Sequence, residues 1–133
     1  MLPRPDLVCV DPRRIDEIWP VAKHLIRAAA ERTNLSPFEW IEKEVLDGKQ
    51  LLWLAWNGES IEAAATTQLV RPVCVLTACS GHQRERWLHL FAKIENYARD
   101  EGCSTMRLYG RKGWERVLDG YSVEHVILEK ALT

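Results

Sequence analysis

Three strand-like segments follow one another without a helix between them, and they restrict the fold more than any other feature of this sequence. QLLWLAW, residues 50–56, is separated from ESIEAAATTQLV, residues 59–70, by Asn57-Gly58. An Asn-Gly pair tolerates the positive φ angles that a tight hairpin turn requires. VCVLTACS, residues 73–80, follows directly after Arg71-Pro72. The sequence therefore predicts an antiparallel meander of three strands.

Helical patterns lie on both sides of this meander. Asp11-Pro12 places an N-cap residue and a first-turn proline before apolar residues that recur at helical spacing. SPFE, residues 36–39, has the pattern of a capping box with Ser36 as its cap, and Gly48 is a suitable stop for that second helix. A third helical pattern covers residues 83–100.

Shorter segments complete the order of elements. LVCV at residues 7–10 predicts a first strand, STMRLYG at 104–110 a fifth, RKGWERVLDG at 111–120 a short helix or turn, and YSVEHVILEKAL at 121–132 a final strand. The order predicts one mixed α/β domain over residues 1–133, an α+β fold with a mostly antiparallel twisted sheet and helices on both faces. The helix between the fourth and fifth strands predicts one parallel pair, and a ligand is expected beside it.

Composition excludes several classes of protein. Apolar residues make up 47% of the chain, charged residues 28%, and the formal net charge is −1, which argues against a disordered chain and a general polyanion binder. No apolar run approaches the roughly 20 residues that span a bilayer, and the first ten residues lack a signal-peptide pattern. We expect a cytoplasmic protein without a membrane partner. Four cysteines without a Cys-x-x-Cys pair predict buried thiols and no metal site.

A resemblance emerges from four of these features: the meander, the helix end NYARDEGC, the strand TMRLYG, and the pair Gly120-Tyr121 before the last predicted strand. Across nearly the whole chain they resemble the GNAT superfamily, the Gcn5-related N-acetyltransferases. The resemblance implies an N-acyltransferase in which the pantetheine arm of acyl-CoA lies along the fourth strand, where the fifth strand diverges from it. The pyrophosphate would then bind the amides of the loop that begins the next helix.

The loop departs from the family pattern Gln/Arg-x-x-Gly-x-Gly/Ala. Alignment on the helix end places His82, Glu85 and Trp87 at the three defined positions, and Gly81 is the only glycine nearby. Glycines there let the backbone approach phosphates, so basic side chains would have to replace backbone contacts. The cofactor-binding residues that the resemblance implies are Thr77, Ala78, Cys79, Gly81, His82, Gln83, Arg84, Arg86 and Arg111.

The residues at the catalytic positions also differ from those of the family pattern. The resemblance implies a tyrosine acid four residues before the Gly-aromatic pair, where this chain has Arg116, and an asparagine after the fifth strand, where it has Gly110-Arg111. Tyr109 and Tyr121 are the remaining candidates for the acid that protonates a leaving thiolate. The candidate bases, which are an acidic residue and two histidines, are Glu62, His82 and His125.

Three hypotheses follow. The first is an acyl-CoA-dependent N-acyltransferase with a degenerate pyrophosphate loop that takes acetyl-CoA or another acyl-CoA. The second is a catalytically inactive GNAT-like domain with a protein partner or a second copy of itself. GRKGWERVL also resembles segments of domains encoded by phages or prophages, which would make the chain virion-associated. The third, a nucleic-acid binder, is disfavoured. An open cleft would favour the enzyme, and one plugged by Trp87 and Trp114 would favour the second hypothesis.

Overall fold

The computed structural model describes residues 2–132, and it contains a five-stranded sheet flanked by three helices. Strands β1 to β5 are Asp6–Cys9, Leu51–Trp56, Ile61–Val70, Val73–Gly81 and Thr105–Leu108; helices α1 to α3 are Ile15–Thr33, Phe38–Leu46 and Phe91–Asp100. Strand order follows chain order, with antiparallel pairs from β1 to β4 and a parallel β4–β5 pair. The predicted mixed sheet with one parallel pair is confirmed.

The sheet has a core on each of its faces, because successive side chains of a strand point to opposite sides. Leu52 and Leu54 pack with α1 and α2 in one cluster. Trp53 and Ala55, from the same strand, pack with Phe91 and the rest of α3 in another. Burial on both faces explains why the middle of β2 is apolar throughout.

A bulge interrupts the pairing of β3 with β4. Thr66 pairs with Ala78, whereas the next residue, Thr67, pairs with Leu76, so that Thr77 has no partner in the register. Pairing of β4 with β5 ends at the same level, at Leu76 and Leu108. Within the described chain, no strand covers the outer edge of β4 from residue 77 to 81. This exposed strand edge is the point at which a site is expected.

Two helix starts differ from the sequence prediction. Helix α2 begins at Phe38 with Pro37 as its cap, and no side chain caps it, so the predicted capping box is wrong. A residue before proline is driven towards extended backbone, which leaves Ser36 too far outside the helix to act as its cap. Helix α3 begins at Phe91 rather than near residue 83, because Gln83 has a left-handed φ of 50° and two 3-10 turns, Arg84–Arg86 and Leu88–Leu90, follow it.

The predicted final strand is also wrong. Residues 121–132 form no strand, and Val126 and Leu128 are 78% and 91% exposed. Their apolar pattern suits a strand, but a strand also requires hydrogen bonds to a neighbouring strand, and residues 121–132 pair with none of β1 to β5. The short helix predicted before it is present as a 3-10 helix, Lys112–Arg116.

The burial of the cysteines and the character of the helices can be compared with the sequence predictions over the described residues. Cys74, Cys79 and Cys103 are buried, but Cys9 is exposed on the edge strand β1, so its predicted burial is wrong. None of the helices between residues 2 and 132 combines the length and apolar character that crossing a membrane demands.

Candidate functional site

The candidate site lies where β4 and β5 separate. The amide of Tyr109 donates to the carbonyl oxygen of Leu76 at 2.9 Å, which extends the ladder one residue past the end of β5. Beyond it, Gly110 and the 3-10 helix Lys112–Arg116 turn away while β4 continues to Gly81. The strands therefore enclose a wedge-shaped cleft that is open towards the loop before α3.

Aromatic side chains occupy this cleft. The ring centroid of Trp114 lies 6.3 Å from that of Trp87 and 5.7 Å from that of Phe91, and we call these three residues the aromatic cluster. Trp87 is only 4% exposed, and its indole Nε1 donates to the carbonyl oxygen of His82 at 2.8 Å. Trp114 lies so close to Gly110 that a side chain on that glycine would collide with the indole ring. The cluster is thus held by packing and by a hydrogen bond.

A small cavity lies on the α3 face of the sheet, beside Trp87 and Phe91. An apolar cavity of about 20 Å³ lies between Trp53, Cys79, Trp87 and Phe91. A cavity of this size holds about one water molecule, since roughly 10–15 Å³ is the minimum.

In the loop between β4 and α3, some backbone amides are bonded within the protein, whereas those of Gln83, Arg84 and Glu85 have no described backbone partner. The amide of His82 donates to the carbonyl of Glu62, and the amides of Arg86 and Trp87 donate to the carbonyls of Gln83 and Arg84. The side chain of Glu85, between them, is exposed and negatively charged. The feature of this loop that opposes a bound diphosphate is therefore the charge of Glu85.

Arg86, a predicted cofactor contact, is held by Glu62, a predicted base. Arg86 Nε lies 2.6 Å from Glu62 Oε1, and Arg86 Nη2 donates to the carbonyl of Pro3 at 2.7 Å. Asn57 Nδ2 also donates to Glu62 at 2.8 Å. The hydrogen bond from Arg86 is the main cause of the lowered pKa of Glu62, which therefore stays ionised and is a poor proton acceptor. The pair ties the loop before α3 to β3, and Arg86 also ties it to Pro3.

The other basic residues of the prediction remain at the mouth of the cleft. Arg84 is exposed and its guanidinium lies 5.6 Å from the ring centroid of Trp114, within the range of a cation–π contact. His82, Gln83 and Arg111 are exposed. Arg84 therefore covers the aromatic cluster, whereas His82 and Arg111 face solvent.

The predicted contacts on β4 are buried in the sheet. Thr77 Oγ1 donates to Gln50 Oε1 at 2.6 Å and lies 2.7 Å from Thr66 Oγ1, which ties it to the interior. Ala78 packs with the α1 and α2 side of the core. Burial raises the pKa of the Cys79 thiol to about 12, so that it is not a nucleophile at neutral pH.

Gly81 also has a structural explanation. A side chain at this position would collide with the carbonyl of Glu62 and with Ala63 on the neighbouring strand. The glycine is therefore required by the close approach of β3 and β4. No phosphate contact is needed to explain it.

The two candidate tyrosines lie in different environments. Tyr121 donates its hydroxyl to Glu95 Oε2 at 2.8 Å, and its pKa is raised by burial and by this carboxylate. Tyr109 is half-buried where the strands separate, and its hydroxyl has no hydrogen-bond partner within residues 2–132. The Tyr121 hydroxyl is therefore engaged by Glu95, whereas the Tyr109 hydroxyl has no partner among the described residues.

Two features of this region have no signal in the sequence. Gln50 is buried next to Thr77, and its Nε2 has no hydrogen-bond partner in the described part of the chain. Glu95, which binds Tyr121, lies on α3 at a position that reads as an ordinary exposed helix residue. Only the tertiary structure brings these groups to their partners, and no local pattern signals either one.

Comparison with known proteins gives matches among solved structures alone. No protein-family model matches the chain, and no curated sequence matches it. An aminoglycoside acetyltransferase from an uncultured soil metagenomic sample, in complex with sisomicin, has a TM-score of 0.70 at 11% identity and covers 98% of this chain and 97% of its own. The fold is that of the GNAT acetyltransferases.

Two further structures with this GNAT fold agree. The aminoglycoside N-acetyltransferase AAC(6')-Iy in complex with CoA has a TM-score of 0.63 at 15% identity, covering 95% of this chain and 93% of its own. The ribosomal-protein-alanine N-acetyltransferase of Brucella melitensis biovar Abortus 2308 has a TM-score of 0.60 at 14% identity. That match covers 94% of this chain and 99% of its own. Identities this low establish the fold alone. None of the three is described as a phage protein, so that resemblance stays a prediction.

Proposed function

We propose that this chain is a GNAT-fold domain that does not bind acyl-CoA between β4 and β5 and that functions as a non-catalytic interaction domain. The observation that carries the proposal is the position of Trp114, which fills the cleft against Trp87 and Phe91. The comparisons support the fold, and a shared fold does not establish a shared reaction.

Opening the cleft has an energetic cost. Moving the indole of Trp114 away from its neighbours breaks aromatic contacts. Each aromatic pair contributes about 0.5–1.5 kcal/mol in addition to the free energy of burying its apolar surface. Two such pairs are present, with Trp87 and with Phe91. A loss of about 2 kcal/mol corresponds to roughly a 30-fold weaker ligand, because each 1.4 kcal/mol is tenfold.

The loop supplies little to offset that cost. Its amides at Arg86 and Trp87 are already bonded within the turn, and Arg86 is neutralised by Glu62. The exposed carboxylate of Glu85 repels a diphosphate. These features support the view that the cleft is a packed part of the core.

A second candidate function is an acyl-CoA-dependent N-acyltransferase. It is favoured by the strand edge of β4 beyond Leu76, which an extended ligand can pair with, and by the whole-chain likeness to acetyltransferases, one of them in complex with CoA. In that case Trp114 must leave the cleft, Arg84 and Arg111 are the available phosphate contacts, and Tyr109 is the candidate acid.

Calorimetric titration with acetyl-CoA separates the two functions when three proteins are compared. We expect no binding heat for the wild type at millimolar ligand, and none for Trp56→Ala, a matched control whose indole is 41% exposed on β2. Trp114→Ala removes the indole that fills the cleft. Binding of acetyl-CoA by this variant alone therefore supports the proposal that Trp114 blocks the cleft. Binding by the wild type, with acyl transfer to an amine, would establish the second function instead.

A further inference from the structure

A short segment before β1 runs past the end of β2. Residues 3–6 read Pro-Arg-Pro-Asp, and Asp6 is the first residue of β1, where it pairs with Trp56 at the end of β2. The three residues before Asp6 therefore lie beyond β2, towards the β2–β3 hairpin turn and the loop before α3. We call residues 3–6 the strap.

The sequence of the strap suits this position. A proline has a fixed φ and drives the residue before it towards extended backbone, so Pro-Arg-Pro is extended before it meets a partner. A proline also has a carbonyl but no amide hydrogen, so it receives hydrogen bonds and cannot donate one to a neighbouring strand. Pro5 is buried, whereas Arg4 is exposed. The strap therefore depends on donors from other elements to hold it in place.

Two basic side chains hold the strap, one near each end. Arg86 Nη2 donates to the carbonyl of Pro3 at 2.7 Å. Lys93 Nζ lies 2.6 Å from Asp6 Oδ1. Arg86 directly precedes Trp87, and Lys93 lies in the first turn of α3. The strap is thus fastened at positions on both sides of Trp87.

Arg86 joins the strap to the sheet as well. Its Nε lies 2.6 Å from Glu62 Oε1 and its Nη2 lies 2.9 Å from Glu62 Oε2, and the Glu62 side chain is only 9% exposed. Within the described chain, Arg86 alone among residues 82–87 makes side-chain hydrogen bonds to residues outside that range. Because arginine presents its donors in a rigid fork, one guanidinium holds both acceptors. A change at Arg86 therefore releases the loop from the strap and from β3 together.

The strap acts on the aromatic cluster through Trp87. The left-handed Gln83 and a 3-10 turn separate Trp87 from β4, and the hydrogen bonds of a 3-10 turn have poorer geometry than those of an α-helix. Segments of this kind open locally at a lower free-energy cost than the whole protein. Leu7, which follows the strap, lines the same small cavity as Trp87. Loss of the strap should therefore loosen Trp87 before the rest of the core.

We propose that the strap, fastened by Arg86 and Lys93, keeps the cleft closed by holding Trp87 in the aromatic cluster. The inference rests on the proposed function, in which the cluster fills the cleft between β4 and β5. Trp114 has ring contacts with Trp87 and Phe91, so it loses one of these two neighbours when Trp87 moves. Release of the strap and opening of the cleft are therefore one linked event.

Hydrogen exchange of the indole N–H groups, followed by NMR on the full chain without a ligand, tests the strap. The Trp87 indole donates to the carbonyl of His82, and we expect it to exchange through local opening of the loop. In Arg86→Gln it should exchange about tenfold to 100-fold faster, the range expected for loss of a charge-assisted hydrogen bond. An unchanged rate at Trp87 would overturn the proposal.

Ile26→Val is the matched control for a general loss of stability. Ile26 is fully buried in the cluster on the α1 side of the sheet, far from the strap in the fold. Its substitution should speed exchange of the Trp19 indole, which is bonded to Glu42 on that side, and leave the Trp87 rate unchanged. Equal acceleration of both indoles in Ile26→Val would show that Trp87 opens only when the whole protein unfolds, which contradicts a local strap.

Pro5→Gly separates the strap from the ion pair. It loosens the backbone of the strap, because glycine has far more conformational freedom than proline, and it leaves Arg86 and Glu62 in place. We expect the Trp87 indole to exchange faster in this variant too. An unchanged rate would mean that Arg86 acts through Glu62 alone, and would overturn the strap. These rates need no ligand, so they decide the strap even if binding of acetyl-CoA by the wild type were to end the proposed function.

Discussion

Gly110 leaves the space that Trp114 fills: a Cβ atom on this glycine would lie 2.6 Å from Cδ1 of the indole ring. Atoms cannot approach so closely, so Gly110→Ala must displace the ring or the backbone. Because Gly110 has no positive φ, the effect is one of volume and not of backbone strain. We expect the free energy of unfolding to fall by about 1–3 kcal/mol, as in other overpacked sites. Urea denaturation measures this change.

Gly113→Ala is the control for this substitution. Its added methyl group would meet only the flexible end of Arg116 at 3.7 Å, an ordinary contact. The midpoint of denaturation should therefore change little. Equal losses of stability in both variants would show that Trp114 does not depend on the space at Gly110.

The aromatic cluster should contribute strongly to stability. Trp87→Ala removes a buried ring and its hydrogen bond to the carbonyl of His82, so we expect a loss of about 3–5 kcal/mol in the free energy of unfolding. Trp56→Ala changes the same residue type at an exposed position and should cost far less. Thermal denaturation followed by circular dichroism compares them. Similar losses would mean that Trp87 is not a core residue.

Stability should depend on pH through Glu62. The pKa of Glu62 is lowered in the folded state, chiefly by the hydrogen bond from Arg86. The ionised carboxylate therefore stabilises the folded protein at pH values above the unfolded pKa of 4.5, and this stabilisation is lost as the pH falls through the folded pKa. The difference in unfolding free energy between wild type and Glu62→Gln should be largest above about pH 5 and shrink in acid.

Glu59→Gln serves as the control for that series. Glu59 is exposed and its carboxylate makes no salt bridge within residues 2–132. The difference between this variant and the wild type should vary little over the same pH range. A pH-independent effect of Glu62→Gln would show that the pair with Arg86 does not form in solution.

The two tyrosines should respond differently to loss of their hydroxyl groups. Tyr121→Phe removes the hydrogen bond to Glu95 and should cost about 1 kcal/mol. Tyr109→Phe should change stability little, because the Tyr109 hydroxyl has no described partner. An alkaline absorbance titration adds a second test: burial and Glu95 raise the pKa of Tyr121, so Tyr121→Phe should remove absorbance change that appears above pH 10. Ionisation of Tyr121 at its ordinary pKa would contradict its burial.

Patterns that depend on local neighbours were predicted well from the sequence. The meander follows from alternating segments and an Asn-Gly pair, and Gly48 ends α2 with a left-handed φ of 77°. The capping box failed because Pro37 restricts the residue before it, and the start of α3 failed because Gln83 adopts a left-handed conformation. Each failure is a local backbone conformation that overrides a residue pattern.

The candidate site was predicted only in part. The sequence left open whether the cleft is open or is filled by Trp87 and Trp114, and the structure places the ring centroids of these two residues 6.3 Å apart. It did not indicate that Arg86 pairs with Glu62 or that Tyr121 binds Glu95, because these partners are 24 and 26 residues apart in the chain. The final strand was predicted from a local apolar pattern, which does not show whether a neighbouring strand pairs with it.

We propose that the aromatic cluster fills the cleft in which a GNAT acetyltransferase would be expected to hold acyl-CoA. The most direct test of this proposal is an NMR titration with acetyl-CoA that follows the indole N–H signals of Trp87 and Trp114, assigned by single Trp→Phe variants. We predict that both signals stay unshifted at millimolar acetyl-CoA. A saturable shift of the Trp114 signal, with exposure of its indole to solvent, would show that the cleft opens for the ligand and would contradict the account.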